Sequence, residues 1–390
     1  MSTMKWLVRG LALGQVTGTA AHGQRWRIVR VVAMAGVLAT VLTTGCGAGS
    51  ETSGTAEPDG REPVARVAET LNVPVWGLVL DPQEDVMYVA TSQDSALLVF
   101  DLRSYEQVGM VDTAGDRAVA VAIDERTRTV YVADGGILGQ TQGTVSVIDA
   151  DTRETVDTIT VEPNGVALAV DSAGGELYVA HPVFVVDSGG REVQADGIVS
   201  AIDTDSREVV ATIPVGRNPR AIAIEPNRGL VFVANTESDS VSVIDSATRE
   251  VVDTIMVGPA PWGLAVDDDT GLLWVANSNL GNEGEGFPPP ASPLSLVDVD
   301  SLEVIETVTV GTEPMGVALD PAAGAVYVAG MDFQDESPGG FVWVVDAVSR
   351  EVLDTITVGN LPGHVAVDPR TGTVYVSNMW DGTLSVLVAQ

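Results

Sequence analysis

Short runs in which apolar and polar residues alternate recur along the chain from Val64 to Gln390. The apolar positions are mostly Val and Ile, and each run is bounded by Gly, Asp, Asn or Pro. A period of two between such boundaries predicts β-strands, because successive side chains of a strand point to opposite faces of its sheet. No window after Ser50 has the period of an amphipathic helix. The pattern therefore predicts an all-β fold.

The clearest repeated feature is an aromatic residue followed by Val and a small residue, which we call the marker. Its seven copies lie between 42 and 54 residues apart, a period typical of the four-stranded blade of a β-propeller. The copies are Tyr88-Val89-Ala90, Tyr131-Val132-Ala133, Tyr178-Val179-Ala180, Phe232-Val233-Ala234, Trp274-Val275-Ala276, Tyr327-Val328-Ala329 and Tyr375-Val376-Ser377.

Each marker has one apolar run before it and two after it, such as VSVID at Val241–Asp245 and VVDTIMVG at Val251–Gly258. This predicts four strands per copy, which we call a, b, c and d. One such sheet cannot bury both of its faces, whereas sheets stacked around an axis can. We predict a seven-bladed β-propeller of four-stranded antiparallel blades, with the marker aromatics in the core between blades.

The seventh copy reaches only its strand c before Gln390. A segment that resembles a strand d, Val64–Val73, precedes the first strand a and is similar to Val209–Gly216. We predict that this N-terminal strand completes the last blade, because such closure removes an exposed sheet edge.

An Asp ends strand c in five copies and is followed by small or polar residues. Asp in this position accepts hydrogen bonds from nearby backbone N–H groups, so we interpret these residues as turn caps. They are Asp149, Asp203, Asp245, Asp298 and Asp346. The segment Asp267–Gly271 is likewise interpreted as a solvated turn, with calcium binding as the alternative.

The N-terminal region predicts export. Three arginines, Arg25, Arg27 and Arg30, precede an apolar run, Val31–Leu42, that is too short to span a membrane. We assign residues 1–45 to a signal peptide. The segment 46–62 is rich in Gly, Ser, Thr and Glu and predicts a flexible tether. The propeller then occupies residues 63–390.

The small residues before Cys46, Thr43-Thr44-Gly45, resemble the end of a bacterial lipoprotein signal. This resemblance implies that Cys46, the only cysteine, becomes the lipidated first residue of the mature protein. The alternative is a cleaved signal that carries a spare cysteine. With lipidation, the expected location is the outer side of the cell membrane, and the lipid is the expected contact with that membrane.

From Cys46 onward the chain has 15 basic and 54 acidic residues and no lysine. A surface with so strong a negative charge repels nucleic-acid phosphates and anionic lipid headgroups. We therefore expect no nucleic-acid partner, and we expect a monomer.

Three strand-b endings, VFVAN, LWVAN and VYVSN, together with the VSVID–VVxTIxVG tail, resemble the YVTN-repeat β-propellers. That family includes YncE-like exported proteins and surface-layer proteins. The resemblance covers nearly all of Val64–Gln390 and implies the fold. As to activity, it implies ligand binding, protein binding or, in some branches, catalysis.

The sequence contains no C-x-x-C-H haem site, no G-x-S-x-G nucleophile elbow and no phosphate loop. With one cysteine it has no thiolate metal site. Two histidines follow Cys46, His181 and His364, and we interpret them as packed or surface residues. We therefore predict no catalytic residue, no metal site and no cofactor.

The most promising surface follows from topology, because the d–a and b–c connections of a propeller lie on one rim. Five residues at the starts of strands a are candidates there for binding an anionic or aromatic ligand: Trp76, Arg220, Trp262, Met315 and His364. The alternative is that they cap the inner core. Four b–c connections are enlarged: Asp134–Gly143, His181–Gly197, Asn277–Pro293 and Gly330–Gly340.

The sequence therefore favours a non-enzymatic, lipid-anchored propeller that binds an envelope protein or a small ligand at this rim. A metal-dependent hydrolase, lyase or lactonase with its site at the channel mouth is the alternative. A structural cell-surface module without a small ligand is a third hypothesis. The identities of the ligand and the partner stay open at this point.

Overall fold

The computed structural model describes residues 64–91, 95–115, 117–135, 142–186, 190, 192–279, 292–333 and 339–389, without the side chain of Glu192. The predicted signal peptide, Cys46 and the predicted tether lie outside these residues. Residues 63–185 and 193–390 form one compact unit, which is the one described below. No helix in the described part of the chain is long and apolar enough to cross a membrane.

The described residues form seven four-stranded antiparallel sheets arranged in a ring, as predicted. We number them blades 1 to 7 and give the strands of each in the order a, b, c, d. Blade 1 contains β2 (Gly77–Asp81), β3 (Val86–Thr91), β4 (Ala96–Asp101) and β5 (Gln107–Asp112). Blade 2 contains β6 (Ala118–Asp124), β7 (Thr129–Asp134), β8 (Gly143–Asp149) and β9 (Glu154–Val161). Blade 3 contains β10 (Ala167–Asp171), β11 (Glu176–Val186), β12 (Glu192–Asp203) and β13 (Val209–Arg217).

The remaining four blades repeat this order. Blade 4 contains β14 (Pro219–Glu225), β15 (Leu230–Asn235), β16 (Ser240–Asp245) and β17 (Glu250–Met256). Blade 5 contains β18 (Pro261–Asp267), β19 (Leu272–Asn277), β20 (Pro293–Asp298) and β21 (Glu303–Thr309). Blade 6 contains β22 (Glu313–Asp320), β23 (Ala325–Asp332), β24 (Gly339–Asp346) and β25 (Val352–Val358). Blade 7 contains β26 (Pro362–Val367), β27 (Val374–Asn378), β28 (Thr383–Ala389) and β1 (Ala65–Asn72).

The ring is closed by the N-terminal strand, which confirms the predicted closure. Strand β1 pairs antiparallel with β28, from Ala65 opposite Ala389 to Asn72 opposite Thr383. The backbone N–H of Val64 also donates to Asp354 Oδ2 of blade 6, at 2.9 Å. Strand β1 therefore covers the edge that β28 would otherwise expose and ties the first described residues to the last blades.

The marker aromatics form the core between blades, as predicted. All seven are at most 4% exposed. Each packs against the apolar residues of the next blade; Tyr88, for example, lies in one cluster with Val130 and Val132 of blade 2. Since the same contact recurs at every boundary, these side chains hold the ring together, and replacing one by Ala would cost about 3–5 kcal/mol.

A polar residue follows each marker at the same place in most blades. Asn235, Asn277 and Asn378 are fully buried there, and their Nδ2 groups donate to a serine of the neighbouring strand c at 2.9 to 3.0 Å. The Asn of the motif thus fastens strand b to strand c. Blade 2 has Asp134 at this place and blade 3 has His181.

The two ends of the strands form two different rims. The turn rim consists of the a–b turns (82–85, 125–128, 172–175, 226–229, 268–271, 321–324, 368–373) and the c–d turns (102–106, 150–153, 204–208, 246–249, 299–302, 347–351). The loop rim consists of the described residues of the d–a connections (73–76, 113–117, 162–166, 218, 257–260, 310–312, 359–361), the first three residues of each strand a, and the described residues of the b–c connections of all blades except blade 3.

The turn rim is nearly identical from blade to blade. The Oδ1 atoms of the five predicted Asp caps accept backbone N–H groups two or three residues further on. These hydrogen bonds lower the pKa of all five carboxyl groups. Asp267 Oδ1 likewise accepts from Asp269 and Thr270, both at 3.1 Å. The interpretation of these residues as turn caps is confirmed.

Candidate functional site

The inner ends of the strands a surround one mouth of the central channel, because the strands a of adjacent blades contact one another all around the ring. At the loop rim, a β-bulge or an unpaired residue begins each strand a; we call this the start position. The seven start positions are Trp76, Val119, Val166, Arg220, Trp262, Met315 and Gly363.

Two tryptophans at start positions each lie under an arginine. The guanidinium carbon of Arg220 lies 5.0 Å from the ring centroid of Trp262, and that of Arg117 lies 5.8 Å from the ring centroid of Trp76. Both tryptophans and both arginines are partly buried. At these distances a cation is attracted to the negative face of the indole. The loop rim therefore carries two Trp–Arg pairs, at the boundary of blades 4 and 5 and at the boundary of blades 1 and 2.

Sequence reasoning missed Arg117. It lies two residues before the start position of its own blade, Val119, so aligning the copies does not point to it. It comes to lie over Trp76 only because blade 2 packs against blade 1. A signal was nevertheless present in the composition, because arginines are few from Cys46 onward and one of them directly precedes this strand a.

Arg117 and Arg220 differ from the ion-paired arginines. Eight arginines of the described residues lie within 4 Å of a carboxylate, and all eight belong to the turn rim: Arg103, Arg126, Arg128, Arg207, Arg228, Arg249, Arg350 and Arg370. Neither arginine of the loop rim has such a partner among the described residues. Two desolvated cations without ion pairs are unusual, because a charge removed from water normally requires a counter-charge.

Burial lowers the pKa of both groups. The pKa of Arg220 falls to about 10 because its guanidinium is desolvated, and Glu237 opposes this shift only in part. The pKa of Arg117 is lowered by desolvation. Both side chains stay cationic at neutral pH. In addition, the Nε of Arg220 is buried without a hydrogen-bond partner among the described residues.

His364 lies one residue beyond the start position of blade 7. The equivalent residue of the other six blades is Gly or Ala: Gly77, Ala120, Ala167, Ala221, Gly263 and Gly316. Space is limited there, since a Cβ at Gly263 would lie 2.1 Å from the carbonyl oxygen of Met315. The His364 N–H donates to Ser377 Oγ at 2.9 Å, which fixes the backbone of this histidine.

The imidazole of His364 is reached by solvent, yet desolvation by the surrounding protein lowers its pKa to about 4. His364 is therefore a neutral hydrogen-bonding group at the channel mouth at physiological pH.

Two other residues singled out from the sequence lie in the interior. Met315 is 1% exposed, so its side chain caps the inner core, as the alternative interpretation has it. His181 is fully buried, with its Nδ1 3.2 Å from the carbonyl oxygen of Pro163 and its Nε2 3.1 Å from Ser200 Oγ. Burial lowers the pKa of His181 to about 4. His181 is thus a packed histidine in the place that Asn takes in other blades.

The b–c connections differ partly from the prediction. The segment His181–Gly197 is mostly strand, because β11 runs to Val186 and β12 begins at Glu192. Likewise β23 extends to Asp332 and β24 begins at Gly339. The main parts of the other two enlarged connections, residues 136–141 and 280–291, lie outside the described residues.

A third tryptophan of the loop rim is Trp380, which is 48% exposed. It lies in the b–c connection of blade 7, and its backbone N–H donates to the carbonyl oxygen of Asn360 at 3.3 Å. Sequence reasoning did not identify this residue. The residues that follow, Asp381-Gly382, are a turn dipeptide, which predicts that the preceding side chain lies at the surface.

Within the described ranges, no group of three or more His, Cys, Asp or Glu residues is placed to hold a metal ion. The channel mouth carries indole, guanidinium and imidazole groups beside the apolar start positions Val119, Val166 and Met315. Such a surface offers flat apolar faces and N–H donors, which suits recognition of a ligand by stacking and by hydrogen bonds to its acceptor atoms.

Comparison with known proteins supports the fold and indicates no activity. No protein-family profile matches the sequence. No curated protein matches it either. Among solved structures, Kuenenia stuttgartiensis hydrazine synthase is similar, with a TM-score of 0.66 and 16% identity over 85% of this chain and 98% of the other. In all, 1529 solved chains match, so the architecture is too widespread to indicate an activity.

Proposed function

We propose that this protein is an exported β-propeller, anchored through a lipid on Cys46, whose loop rim binds a partner protein or a small ligand at the cell envelope. The observation that carries the proposal is the presence of two Trp–Arg pairs at one channel mouth. Propeller blades need neither residue at that place, since the other start positions are Val119, Val166, Met315 and Gly363.

Stability alone does not account for these pairs. A desolvated guanidinium without a carboxylate destabilises the folded state, and a buried N–H without an acceptor costs about 1–3 kcal/mol. The cation–π contact offsets only about 0.5–2 kcal/mol of this. Groups that are costly for folding are typical of binding sites, where a ligand supplies the missing partner.

The anchor is proposed from the sequence around Cys46. Export and lipidation would place a rigid ring on a tether outside the cytoplasm, where its acidic surface keeps it soluble. Fractionation tests this part: the wild-type protein should sediment with membranes, and Cys46→Ser should appear in the soluble envelope fraction. Equal distribution of the two proteins would overturn the anchor without affecting the binding proposal.

The binding part is tested with the purified ring immobilised and exposed to envelope extract and to a small-molecule panel. Trp76→Ala combined with Trp262→Ala should abolish the binding that the wild type shows. The control is Val348→Ala, which alters an 86%-exposed apolar residue of the turn rim and should leave binding unchanged. Retention of all ligands by the double variant, folded as judged by circular dichroism, would contradict the proposal.

A further inference from the structure

Charge is distributed unequally along the axis of the ring. At the turn rim, each strand a ends in a carboxylate residue: Asp81, Asp124, Asp171, Glu225, Asp267, Asp320 and Asp368 end or directly follow these strands. At the loop rim, none of the seven start positions is acidic, and one is arginine. In a chain with 54 acidic residues, the start positions thus carry no carboxylate, although Asp116, Glu162 and Glu313 lie in or beside the d–a connections of the same rim.

The geometry of the Trp–Arg pairs determines what they can bind. A guanidinium is flat; when its face lies on an indole, its N–H edge remains free for a planar oxyanion. Arginine and a carboxylate form two parallel hydrogen bonds in this arrangement. The Nε of Arg220 is buried without a hydrogen-bond partner among the described residues, so this guanidinium keeps an N–H group that an acceptor can satisfy.

Desolvation strengthens the hydrogen bonds between an arginine of the loop rim and a carboxylate. The protein around Arg220 has displaced much of the water that would otherwise compete for its N–H groups, and charge-assisted hydrogen bonds are stronger where water is excluded. The nearest opposing charge is that of Glu237, which interacts with Arg220 electrostatically without an ion pair. Asp134 accepts from the N–H of Gly115 in the d–a connection that carries Arg117, and burial raises its pKa. Asp116, the residue before Arg117, lies outside the described residues.

Tryptophan supplies the second half of the recognition. Trp76 and Trp262 are partly exposed at the mouth, and Trp380 exposes about half of its surface on the same rim. Indole faces stack with flat apolar groups, and an aromatic body on a ligand would cover them. An inorganic anion would use the arginines and leave these faces in water.

We infer that the ligand of the loop rim is an aromatic carboxylate, whose acid group binds Arg220 or Arg117 and whose ring packs on the adjacent tryptophans. This inference rests on the proposed function and names the class of ligand at that same site. The two pairs lie on opposite sides of the mouth, three blades apart, so each pair is a binding position of its own.

The test uses three probes that separate the two halves of the recognition. 2-Naphthoate has the acid group and the flat body, 2-naphthamide keeps the body and loses the charge, and acetate keeps the charge and loses the body. Binding to the mature protein is measured by ligand-observed NMR and calorimetry. We expect naphthoate to bind about tenfold or more tightly than either of the others, since a charged hydrogen-bonded pair contributes at least one factor of ten.

Substitutions then locate the bound acid. Arg220→Met combined with Arg117→Met should reduce the affinity for naphthoate to that for naphthamide, whereas Arg220→Lys with Arg117→Lys should retain part of the difference. Arg249→Met is the matched control, because it removes an ion-paired arginine of the turn rim. Urea unfolding of each variant shows that the ring is still folded.

The outcomes separate the two proposals. If naphthamide binds as tightly as naphthoate and Trp262→Ala abolishes both, the loop rim binds ligands but the inferred acid group is wrong. If naphthoate binds equally to the wild type and to the double Met variant, the assignment of the two arginines is wrong. If no probe binds, the inference on ligand class fails, while partner capture from envelope extract still decides the proposed function.

Discussion

The turn rim and the loop rim are built from the same seven repeats, yet their arginines differ in their partners. On the turn rim, arginines pair with carboxylates of the neighbouring blade, as Arg128 does with Asp81 at 2.8 Å and Arg228 with Asp300 at 2.6 Å. Arg350 of the turn rim has both kinds of contact, since it pairs with Glu306 at 3.6 Å and lies 5.0 Å from the ring centroid of Trp274. On the loop rim, Arg117 and Arg220 lie on tryptophans and have no ion pair among the described residues.

Backbone conformation shows the same contrast. The fourth residue after each c–d Asp adopts a positive φ of 57° to 66° and is an arginine in four blades, Arg153, Arg207, Arg249 and Arg350. Glycine would adopt this conformation with less strain. An arginine there can reach the preceding blade, as Arg249 does to Glu176. The turn rim therefore combines local backbone strain with ion pairs between blades, whereas the two arginines of the loop rim contact tryptophans of the neighbouring blade and have no ion pair among the described residues.

This difference in arginine partners separates a rim whose contacts hold the ring together from a rim for which binding is proposed. Contacts that recur in every blade are explained by the fold, because each boundary between blades needs them. Contacts that occur in one or two blades and do not stabilise the fold require another explanation, and ligand binding is the one proposed above.

The largest effect is expected where an inter-blade ion pair of the turn rim is broken. Arg249→Met leaves the carboxylate of Glu176, whose side chain is 9% exposed, without its cation. Tyr178 still donates to that carboxylate, so the loss should be about 2–3 kcal/mol, somewhat below that for a fully buried pair. Urea unfolding measures it.

The control for this prediction is Arg103→Met. The Arg103 side chain is 79% exposed, and its pair with Asp85 should contribute less than about 1 kcal/mol. Equal losses in the two variants would show that burial does not decide the contribution of these pairs.

A smaller effect of opposite sign is expected at Asp134 of blade 2. Its Oδ2 accepts from Thr144, Ser146 and the N–H of Gly115 at 3.0 to 3.2 Å, while Oδ1 is buried and has no hydrogen-bond partner in the described part of the chain. Other blades have Asn at this place. Asp134→Asn should therefore stabilise the protein by about 1 kcal/mol at neutral pH, because it removes a buried charge.

The pH dependence of the free energy of unfolding tests whether the buried charge of Asp134 causes this effect. Burial raises the pKa of Asp134 in the folded state, so the folded protein loses stability as pH rises from the unfolded value of about 3.9 through the raised folded value. The gain from Asp134→Asn should grow over this window and be small at about pH 3. The reciprocal change Asn235→Asp should destabilise with the same pH dependence; a gain for Asn that does not vary with pH would contradict the explanation.

The smallest effect is expected at His364. Because its pKa is about 4, the imidazole stays neutral between about pH 5.5 and 8, and the affinity for 2-naphthoate should be constant over this range. His364→Gln should show the same constant affinity over this range, because a neutral imidazole and an amide carry no charge. Ligand-observed NMR at several pH values measures both; an inflection near pH 6.5 in the wild type would mean that His364 is not desolvated.

The fold was predictable because the sequence pattern of each blade recurs in seven copies. Marker aromatics, Asp caps and the resemblance of Val64–Val73 to a strand d together determine blade number and closure. Period and turn chemistry are local properties of a sequence, and the structure follows them in every described blade.

The candidate site was predictable only in part. Trp76, Trp262 and Arg220 could be found because they interrupt an otherwise apolar start position. Arg117 could not, since its partner Trp76 belongs to another blade and 41 positions separate them in the sequence. The burial of Met315 likewise depends on packing between blades, which the alternation of strand residues does not specify.

The central claim is that the turn rim stabilises the ring while the loop rim keeps costly groups for a ligand. It is tested most directly by the free energy of unfolding of Arg220→Met beside that of Arg249→Met, the same substitution on opposite rims. We predict that Arg249→Met loses about 2–3 kcal/mol and that Arg220→Met is unchanged or gains up to about 1 kcal/mol. A loss in Arg220→Met as large as that in Arg249→Met would make Arg220 a structural residue and contradict the account.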